Sequence, residues 1–319
     1  MRIFVTGGAG FIGSQYVRAL LSGELPGADG ARVTVLDKLG HGSNTANLGP
    51  VAEHPAFRFV HGDICDAELV DEAVRGHDVI VHFAAESHVD RSIDDARPFV
   101  TANVLGTQVL LDAARRHGVG RFVHVSTDEV YGSIPQGRGT EAQPLAPNSP
   151  YARRRRVPIC WCCPRTGPMG WTSSSPGART ITVLIRIRKV IPLFVTNLLR
   201  GRQVPLYGEG GNVREWLHVA DHCLAVQLVL RGGRPGHVYN VGGGTELTNR
   251  ELTGRLLESC GAGWDRVEPV ADRLGHDQRY SLDMTKIRNE LGFAPQQSFE
   301  TGLKATVEWY RENTSWWDR

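Results

Sequence analysis

Short runs of apolar, mostly β-branched residues alternate with amphipathic stretches along the first half of the chain. The apolar runs predict buried strands at residues 2–6, 32–37, 57–61, 78–84 and 121–127. The helical spacing of apolar residues between them predicts helices at 12–22, 66–75 and 97–117. Strands that alternate with helices form a parallel sheet covered by helices on both faces. The pattern therefore predicts an α/β fold built on a doubly wound parallel sheet.

The pattern of apolar and polar residues changes from about residue 190 onward. Longer segments with Gly and Pro separate two predicted helices, at 219–231 and 248–259, from an aromatic helix that ends near the residues WYRENTSWW. We therefore expect one domain over residues 1–189 and a smaller, partly interleaved domain over residues 190–319.

Composition excludes several classes of protein. The 319 residues are 41% hydrophobic, which is enough for a packed core. No run of about 18 apolar residues could cross a membrane. The N-terminus, MRIFVTGGAG, has the pattern of a strand and turn rather than that of a signal peptide. We expect a soluble, cytoplasmic protein with no membrane partner.

The formal net charge of +2 depends on one segment. Residues 153–188 contain eight Arg and no acidic residue, which leaves 28 basic against 34 acidic residues in the rest of the chain. Because no other stretch concentrates positive charge, we expect no nucleic acid partner. Three of the six Cys lie in the same segment and the others are scattered, so we expect neither a metal site nor a disulfide framework.

A glycine-rich turn follows the first predicted strand in the residues TGGAGFIG. Gly7, Gly10 and Gly13 open the first helix, and their missing side chains let backbone N–H groups approach a pyrophosphate at the helix N-terminus. Asp37 ends the second strand, where a carboxylate can accept hydrogen bonds from ribose hydroxyls and would repel a 2′-phosphate. The pattern favours NAD over NADP; the alternative is a tight turn with a capping Asp.

Polar residues end the fifth predicted strand, at the edge where doubly wound sheets bind ligands. Thr127, Asp128 and Glu129 follow Ser126 there, and Tyr151 comes 22 residues later in PNSPYA, where a proline-led turn should begin a helix. Successive residues of an extended chain point apart, so an irregular turn after Thr127 is needed to bring both carboxylates to one ligand. The alternative is that the two carboxylates only cap a turn.

Several motifs together resemble the dTDP-glucose 4,6-dehydratases, a family of the extended short-chain dehydrogenases/reductases. They are TGGAGFIG, HFAAESHVDRS, STDEVYGS, PNSPYA, IPLFVTNLL, PLYGEGGNVREWLHV, YNVGGGTELTN and DRLGHDQRYSLD, and they span the chain except for residues 153–188. The resemblance implies a Rossmann-type NAD-binding domain, a nucleotide-sugar-binding domain and a homodimer. It also implies that NAD stays bound while hydride leaves sugar C4 and returns to C6, with loss of water between the two steps.

The resemblance assigns roles to individual residues. Tyr151 would take the 4-hydroxyl proton, Glu129 the C5 proton, Asp128 would protonate the departing 6-hydroxyl, and Thr127 would bind the sugar. Cofactor contacts would come from Gly7, Gly10, Phe11, Ile12, Gly13, Asp37, Lys38, Asp63, Ile64, Ala84 and Ala85. The substrate dTDP-glucose would be bound by Ser87 at the sugar, Arg214 at the diphosphate, and Pro205, Tyr207, Asn249, Asp272 and His276 at the nucleotide.

The chain departs from the family pattern in residues 153–188. The family has Tyr-x-x-x-Lys, in which the ammonium lowers the pKa of the Tyr and holds a ribose, but position 155 is Arg. The stretch has no helical period, so we expect it not to pack as the family's helix does and to impair activity. Ala102 is a smaller departure, because relatives usually have a Thr that hydrogen-bonds the cofactor.

The genetic code offers an explanation for this segment. Read one base out of frame, the codons of Met169 and Gly170 force a Gly, those of Trp171 and Thr172 force an Asp, and a Leu is permitted between them, as in the Gly-Leu-Asp of the family. The codons of Arg153 to Cys162 permit a restored Lys four places after Tyr151. We therefore predict that 153–188 is a frameshifted stretch, caused by a sequencing error or a damaged gene; a divergent insertion and a polybasic loop are the alternatives. Resequencing the DNA at both junctions tests this.

Two other functions stay open at this point. A nucleotide-sugar 4-epimerase or decarboxylase would need the Tyr and NAD but no acid and base at C5 and C6, so Asp128 and Glu129 argue against it. A catalytically impaired, NAD-binding remnant of the family is favoured by Arg155.

Overall fold

The computed structural model describes residues 1–87, 89–162, 173–174, 176–177, 190–272 and 276–318. Its strands are β1 Arg2–Thr6, β2 Arg32–Asp37, β3 Phe57–His61, β4 Val79–His82, β5 Arg121–His124, β6 Ser173–Ser174, β7 Pro176–Gly177, β8 Val204–Tyr207, β9 Val213–Trp216, β10 Tyr239–Asn240, β11 Thr245–Thr248 and β12 Val267–Val270. Its helices are α1 Phe11–Leu21, α2 Ala67–Val74, α3 Val89–Asp94, α4 Arg97–Val100, α5 Thr107–Arg116, α6 Pro150–Cys162, α7 Val190–Leu199, α8 Val219–Gly232, α9 Asn249–Cys260, α10 Thr285–Leu291, α11 Phe299–Glu312 and α12 Thr314–Trp317.

The main sheet is parallel throughout and has the strand order β3-β2-β1-β4-β5-β6. Alternate residues of β1 enter two different cores: Ile3 and Val5 pack with α1 and α8 on one face, and Phe4 packs with α2 and α5 on the other. Apolar side chains on both faces are what a sheet covered by helices on both sides requires. The prediction of a doubly wound α/β fold is confirmed.

The predicted helix at 97–117 is interrupted. It consists of α4, a π-helical turn over Thr101–Gly106, and α5. The turn contains Asn103, whose buried side chain accepts a hydrogen bond from the backbone of Glu86 and donates one back to its carbonyl oxygen (2.9 and 3.0 Å). The π-helical turn therefore fixes the backbone of the loop after β4 through Asn103.

The C-terminal residues form short paired strands and helices that pack against the first half. β11 pairs antiparallel with β9, and β12 pairs parallel with β8. The Tyr16 hydroxyl in α1 donates to Gln227 in α8 at 2.7 Å, so helices from both halves share one core. The division at residue 189 stays a prediction. Within the part of the chain that the structure describes, no helix is long and apolar enough to span a bilayer.

The segment around Arg155 begins as a helix. α6 runs from Pro150 to Cys162, so the expectation that this stretch cannot pack as a helix is wrong for its first residues. Tyr151 and Arg155 are both buried one helical turn apart, because they face the sheet while Arg153 and Arg156 face solvent. Apart from β6 and β7, residues 163–189 lie outside the described residues, and the frameshift hypothesis stays a prediction.

Two histidines face each other inside the sheet. His82 and His124 are register partners in β4 and β5, are buried, and have ring centroids 5.1 Å apart. The hydroxyls of Thr6 and Thr107 hydrogen-bond the two ring nitrogens of His82 at 2.6 and 3.0 Å. Burial lowers the pKa of His82 to about 3 and the pKa of His124 well below its usual range, and the charge of Arg155 lowers both further.

We expect this histidine pair to make the fold sensitive to acid. Imidazoles of the unfolded chain take up protons below about pH 6.5, whereas the folded ones stay neutral, so the free energy of unfolding falls as the pH drops below that value. Replacing His124 by Leu should reduce the loss between pH 7 and pH 5.5 by about 1 kcal/mol. Thermal unfolding at both pH values measures this, with the exposed His61→Leu as control; an unchanged pH dependence in His124→Leu would contradict it.

Candidate active site

A cavity of about 500 Å³ lies at the carboxyl ends of the sheet strands. Its walls come from the turns after β1 and β2, the loops after β4 and β5, the start of α6, and segments of the C-terminal half. The sequence-predicted residues that line it are Gly7, Gly10, Phe11, Ile12, Gly13, Asp37, Lys38, Asp63, Ile64, Ala84, Ala85, Ser87, Thr127, Glu129, Tyr151, Pro205, Tyr207, Arg214, Asn249 and His276. Asp128 and Asp272 are not part of the lining, although both lie beside residues that are.

The glycine turn needs its glycines for backbone reasons. Gly7 has φ +70°, and a Cβ built on it would lie 2.6 Å from the backbone nitrogen of Ala84. A Cβ on Gly13 would overlap the carbonyl oxygen of Gly7. α1 begins directly after Gly10, which has no side chain to cap the helix, so its first N–H groups face the cavity as donors for an anion.

Asp37 is held rigidly at the end of β2. It is buried, and its two carboxylate oxygens accept hydrogen bonds from the backbone N–H groups of Ala9 (3.0 Å) and Leu39 (2.9 Å). Each oxygen keeps a lone pair that can accept from a further donor. A turn with free N–H groups beside a fixed carboxylate fits the pyrophosphate and ribose of NAD.

The residues after β5 leave the strand in a tight turn. Asp128 begins a 3₁₀ helix that ends at Tyr131, and the Thr127 hydroxyl caps it by accepting from the N–H of Glu129 at 3.3 Å. The same hydroxyl donates to Asp128 at 3.2 Å. This is the irregular turn that the sequence required after Thr127. It places Glu129 in the cavity wall, while Asp128 is 2% exposed beside it.

Tyr151 enters the same cavity from the first turn of α6. Its backbone N–H donates to the Ser92 hydroxyl at 3.1 Å, which fixes the start of the helix. Burial raises the pKa of Tyr151 to about 12, although the charge of Arg155 and the nearby Thr127 hydroxyl lower it. The carboxylate of Glu129 raises this pKa, which shows that the phenol, the hydroxyl and the carboxylate share one electrostatic environment.

Arg155 is a buried cation without a carboxylate partner among the described residues. It is 4% exposed, its Nη2 donates to the carbonyl oxygen of Val125, and its Nε has no partner in the part of the chain described. Burial lowers the pKa of the Arg155 guanidinium. The side chain therefore supplies positive charge beside Tyr151, but the carbonyl oxygen of Val125, the residue directly after β5, holds one end of the guanidinium.

The other end of the cavity presents an arginine and aromatic rings. The Arg214 guanidinium is buried, donates to the carbonyl oxygens of Val213 and Asp277 at 2.8 Å each, and lies 4.5 Å over the ring of Tyr280. Across from it, the rings of Tyr207 and His276 meet edge to face at 6.3 Å.

Asp272 lies outside the cavity wall and contacts the cavity residue His276. Its carboxylate hydrogen-bonds Nδ1 of His276 at 2.7 Å, which orients that ring. A fixed cation at one point and two aromatic rings at another suit a nucleoside diphosphate.

Comparison with known proteins agrees with this geometry. A family model described as "NAD dependent epimerase/dehydratase family" matches residues 3–242. The chain belongs to this family. It is 57% identical to a dTDP-glucose 4,6-dehydratase of Streptomyces niveus, over 100% of this chain and 95% of that one.

Solved structures of family members share the fold over almost the whole chain. The dTDP-glucose 4,6-dehydratase DesIV of Streptomyces venezuelae, solved with NAD bound, has a TM-score of 0.95 and 56% identity, with 100% of this chain and 99% of that one covered. A UDP-glucose 4-epimerase of Thermotoga maritima, solved with UDP-glucose, has a TM-score of 0.87 and 29% identity, with 98% and 100% covered. Both activities thus occur on this family's scaffold.

Sequence reasoning missed two acidic residues of this family member's cavity. Glu215 is 4% exposed and accepts hydrogen bonds from the N–H groups of Gly244 (2.8 Å) and Leu282 (2.9 Å); burial raises its pKa. Glu86 lines the cavity beside the predicted Ala85. The position of Glu215 next to Arg214 inside the short strand β9 was a usable signal, since charges are rarely buried without a partner. Glu86 offered none, because its position depends on Asn103.

Proposed function

We propose that this chain is a dTDP-glucose 4,6-dehydratase, which converts dTDP-glucose to dTDP-4-keto-6-deoxyglucose and water. The observation that carries the proposal is the turn after β5, which brings Thr127, Asp128 and Glu129 together with Tyr151 beside a dinucleotide groove. The dehydratase relatives with 57% and 56% identity support it. A 4-epimerase would need the Tyr but no acid and base for eliminating water.

In the proposed mechanism, Tyr151 acts first as a base. It takes the proton of the sugar 4-hydroxyl, and the Thr127 hydroxyl orients that oxygen. The charge of Arg155 stabilises the phenolate, as its effect on the pKa of Tyr151 indicates. Bound NAD supplies the hydride acceptor for oxidation at C4 and the hydride donor for reduction at C6.

The two carboxyl groups divide the elimination between them. Glu129, in the cavity wall, takes the C5 proton that the new 4-keto group makes acidic, and later returns a proton to C5. Asp128, buried beside Thr127, gives its proton to the departing 6-hydroxyl, which leaves as water. One carboxyl group must be ionised while its neighbour is protonated, and unequal burial is the usual way to separate two such pKa values.

Substrate binding is proposed to use the far end of the cavity. Arg214 would meet the diphosphate, Tyr207 and His276 would enclose the base with Pro205, and Ser87 would bind the sugar. Asn249 and the Asp272 loop would complete the nucleotide site. We further propose that the protein works in the cytoplasm as a homodimer, as its resemblance to the dehydratases implies.

A direct assay tests this function. Purified protein is incubated with dTDP-glucose and, in parallel, with UDP-glucose, and the 4-keto product is followed by its absorbance in base. Product from dTDP-glucose supports the proposal. Release of a 4-epimer without the absorbance change would indicate an epimerase, and NAD binding without any turnover would indicate an impaired remnant.

Because Arg155 stands where the family has Lys, the alternative of an impaired enzyme gives a prediction of its own. Replacing Arg155 by Lys should raise kcat/KM about tenfold at pH 7, because a compact ammonium can approach the phenol and a ribose more closely than the planar guanidinium can.

Since the pKa of Tyr151 is about 12 and the deprotonated phenol is needed, kcat/KM of the unaltered chain should rise with pH between 7 and 10.

Kinetics at several pH values for both proteins provide the measurement. Arg154→Lys, one residue away and without contact to Tyr151 among the described residues, is the matched control. Equal activity of the unaltered protein and the Arg155→Lys variant at every pH would show that the guanidinium serves as well as an ammonium.

A further inference from the structure

Charged side chains meet across the groove that would hold the cofactor. Lys38 directly follows β2, and Glu86 lies four residues after β4. In the sheet, β1 lies between these two strands, and its glycine turn opens between Lys38 and Glu86. Both side chains line the cavity together with Gly7, Gly10 and Gly13. A contact between the two side chains must therefore pass over the glycine turn.

The structure contains this contact. Lys38 Nζ lies 3.6 Å from Glu86 Oε1 and 3.5 Å from Asp63 Oδ2, and Glu86 Oε2 lies 3.7 Å from Arg91 Nη1. The charges alternate in sign from the end of β3 to α3. We call these four residues, Asp63, Lys38, Glu86 and Arg91, the charge strap.

Of the two residues that bridge the groove, Glu86 is fixed and Lys38 has the more exposed side chain. Glu86 is held by the paired backbone hydrogen bonds with the buried Asn103, and its side chain is only 15% exposed. The side chain of Lys38 is 41% exposed and has four rotatable bonds, so it can swing away. The Lys38–Glu86 pair can therefore open without any change in the backbone of the Glu86 loop.

We propose that the charge strap closes over bound NAD and slows its release. A dinucleotide whose pyrophosphate lies against the glycine turn can leave only after Lys38 and Glu86 separate. The ion pair then acts on the rate of dissociation rather than as one more contact to the ligand. This inference deepens the proposed function, because a reaction that removes a hydride and later returns it needs the same NAD to stay bound between the two steps.

The rate of NAD release tests the charge strap. Protein loaded with NAD is diluted into an excess of an NAD-consuming dehydrogenase and its substrate, and the released NAD is followed over time. We expect Lys38→Met and Glu86→Gln each to release NAD about three- to fivefold faster, the range for a partly exposed ion pair. The double variant should be no faster than either single variant, and Lys38→Arg should restore slow release.

A matched pair elsewhere controls for loss of surface charge. Arg255 and Glu300 form an exposed ion pair at 2.6 Å between α9 and α11, and neither lines the cavity. Glu300→Gln should leave NAD release unchanged. Thermal unfolding of the NAD-free proteins identifies any variant that is destabilised as a whole.

The outcomes separate this inference from the proposed function. An unchanged rate in Glu86→Gln, or effects of the two substitutions that multiply in the double variant, would overturn the charge strap and leave Lys38 a simple ligand contact. The release assay needs no sugar. A protein that holds NAD through the strap but does not convert dTDP-glucose would overturn the proposed function alone, and a protein that binds no NAD would overturn both.

Discussion

Replacing Tyr151 by Phe is expected to lower kcat for dTDP-glucose by about a thousandfold, because the variant lacks the group that takes the 4-hydroxyl proton. The ring itself should stay in place. Tyr151 is buried against Phe99, with ring centroids 6.3 Å apart, and its backbone bond to Ser92 does not involve the phenol. NAD binding should therefore be almost unchanged while turnover is lost.

Steady-state kinetics and the NAD content of the purified variant measure the two effects. Tyr16→Phe is the matched control, because Tyr16 is equally buried and loses a hydrogen bond to Gln227, yet lies outside the cavity wall. The comparison is most sensitive in the Arg155→Lys background. A Tyr151→Phe protein that keeps more than about a tenth of its kcat would assign the proton transfer to another group.

Replacing Glu129 by Gln is expected to lower product formation by at least about a hundredfold, because an amide cannot take the C5 proton. The decisive readout is the sugar itself. With dTDP-glucose deuterated at C5, Glu129→Gln should retain the deuterium in the recovered sugar, whereas the unaltered chain should lose it to water. Mass spectrometry of the sugar measures this.

Asp128 provides the contrast for this experiment. Asp128→Asn should still lose C5 deuterium, since Glu129 remains, but should eliminate water slowly because the amide cannot donate the proton. The two carboxyl groups are adjacent in the chain, and different patterns in the two variants would therefore assign different roles. Loss of C5 deuterium at the normal rate in Glu129→Gln would mean that Glu129 is not the base.

The sheet and the nucleotide turn were predictable because local rules decide them. β1 and β2 have the predicted bounds, since short runs that are rich in β-branched residues bury side chains on both faces when they lie inside a parallel sheet. Gly7 and Gly13 follow from backbone geometry, which the spacing of glycines in the sequence reveals. β5 ends three residues earlier than predicted, at His124, because the chain bends there toward Thr127 and the cavity.

Contacts between distant segments were not predictable in the same way. The break in the predicted helix at 97–117 exists because Asn103 holds the backbone of Glu86. The spacing of apolar residues along the helix does not reveal that hydrogen bond. The burial of Glu215 depends on N–H groups from Gly244 and Leu282, both far away in the chain. The sequence predicted that a helix begins near Tyr151 but not that it continues through Arg155, because packing against neighbouring segments can bury a helix whose own sequence lacks a clear apolar face.

The pairing of α1 with α8 has a consequence for how the protein is made. The four strands that surround the glycine turn are complete once residue 82 has been synthesised, so the centre of the sheet can assemble early. The hydrogen bond from Tyr16 to Gln227 spans 211 residues, and the part of the α1 surface that packs on α8 has no cover until α8 emerges from the ribosome. During that interval the nascent chain exposes an apolar surface that is prone to aggregate, and a chaperone would be needed most at this surface.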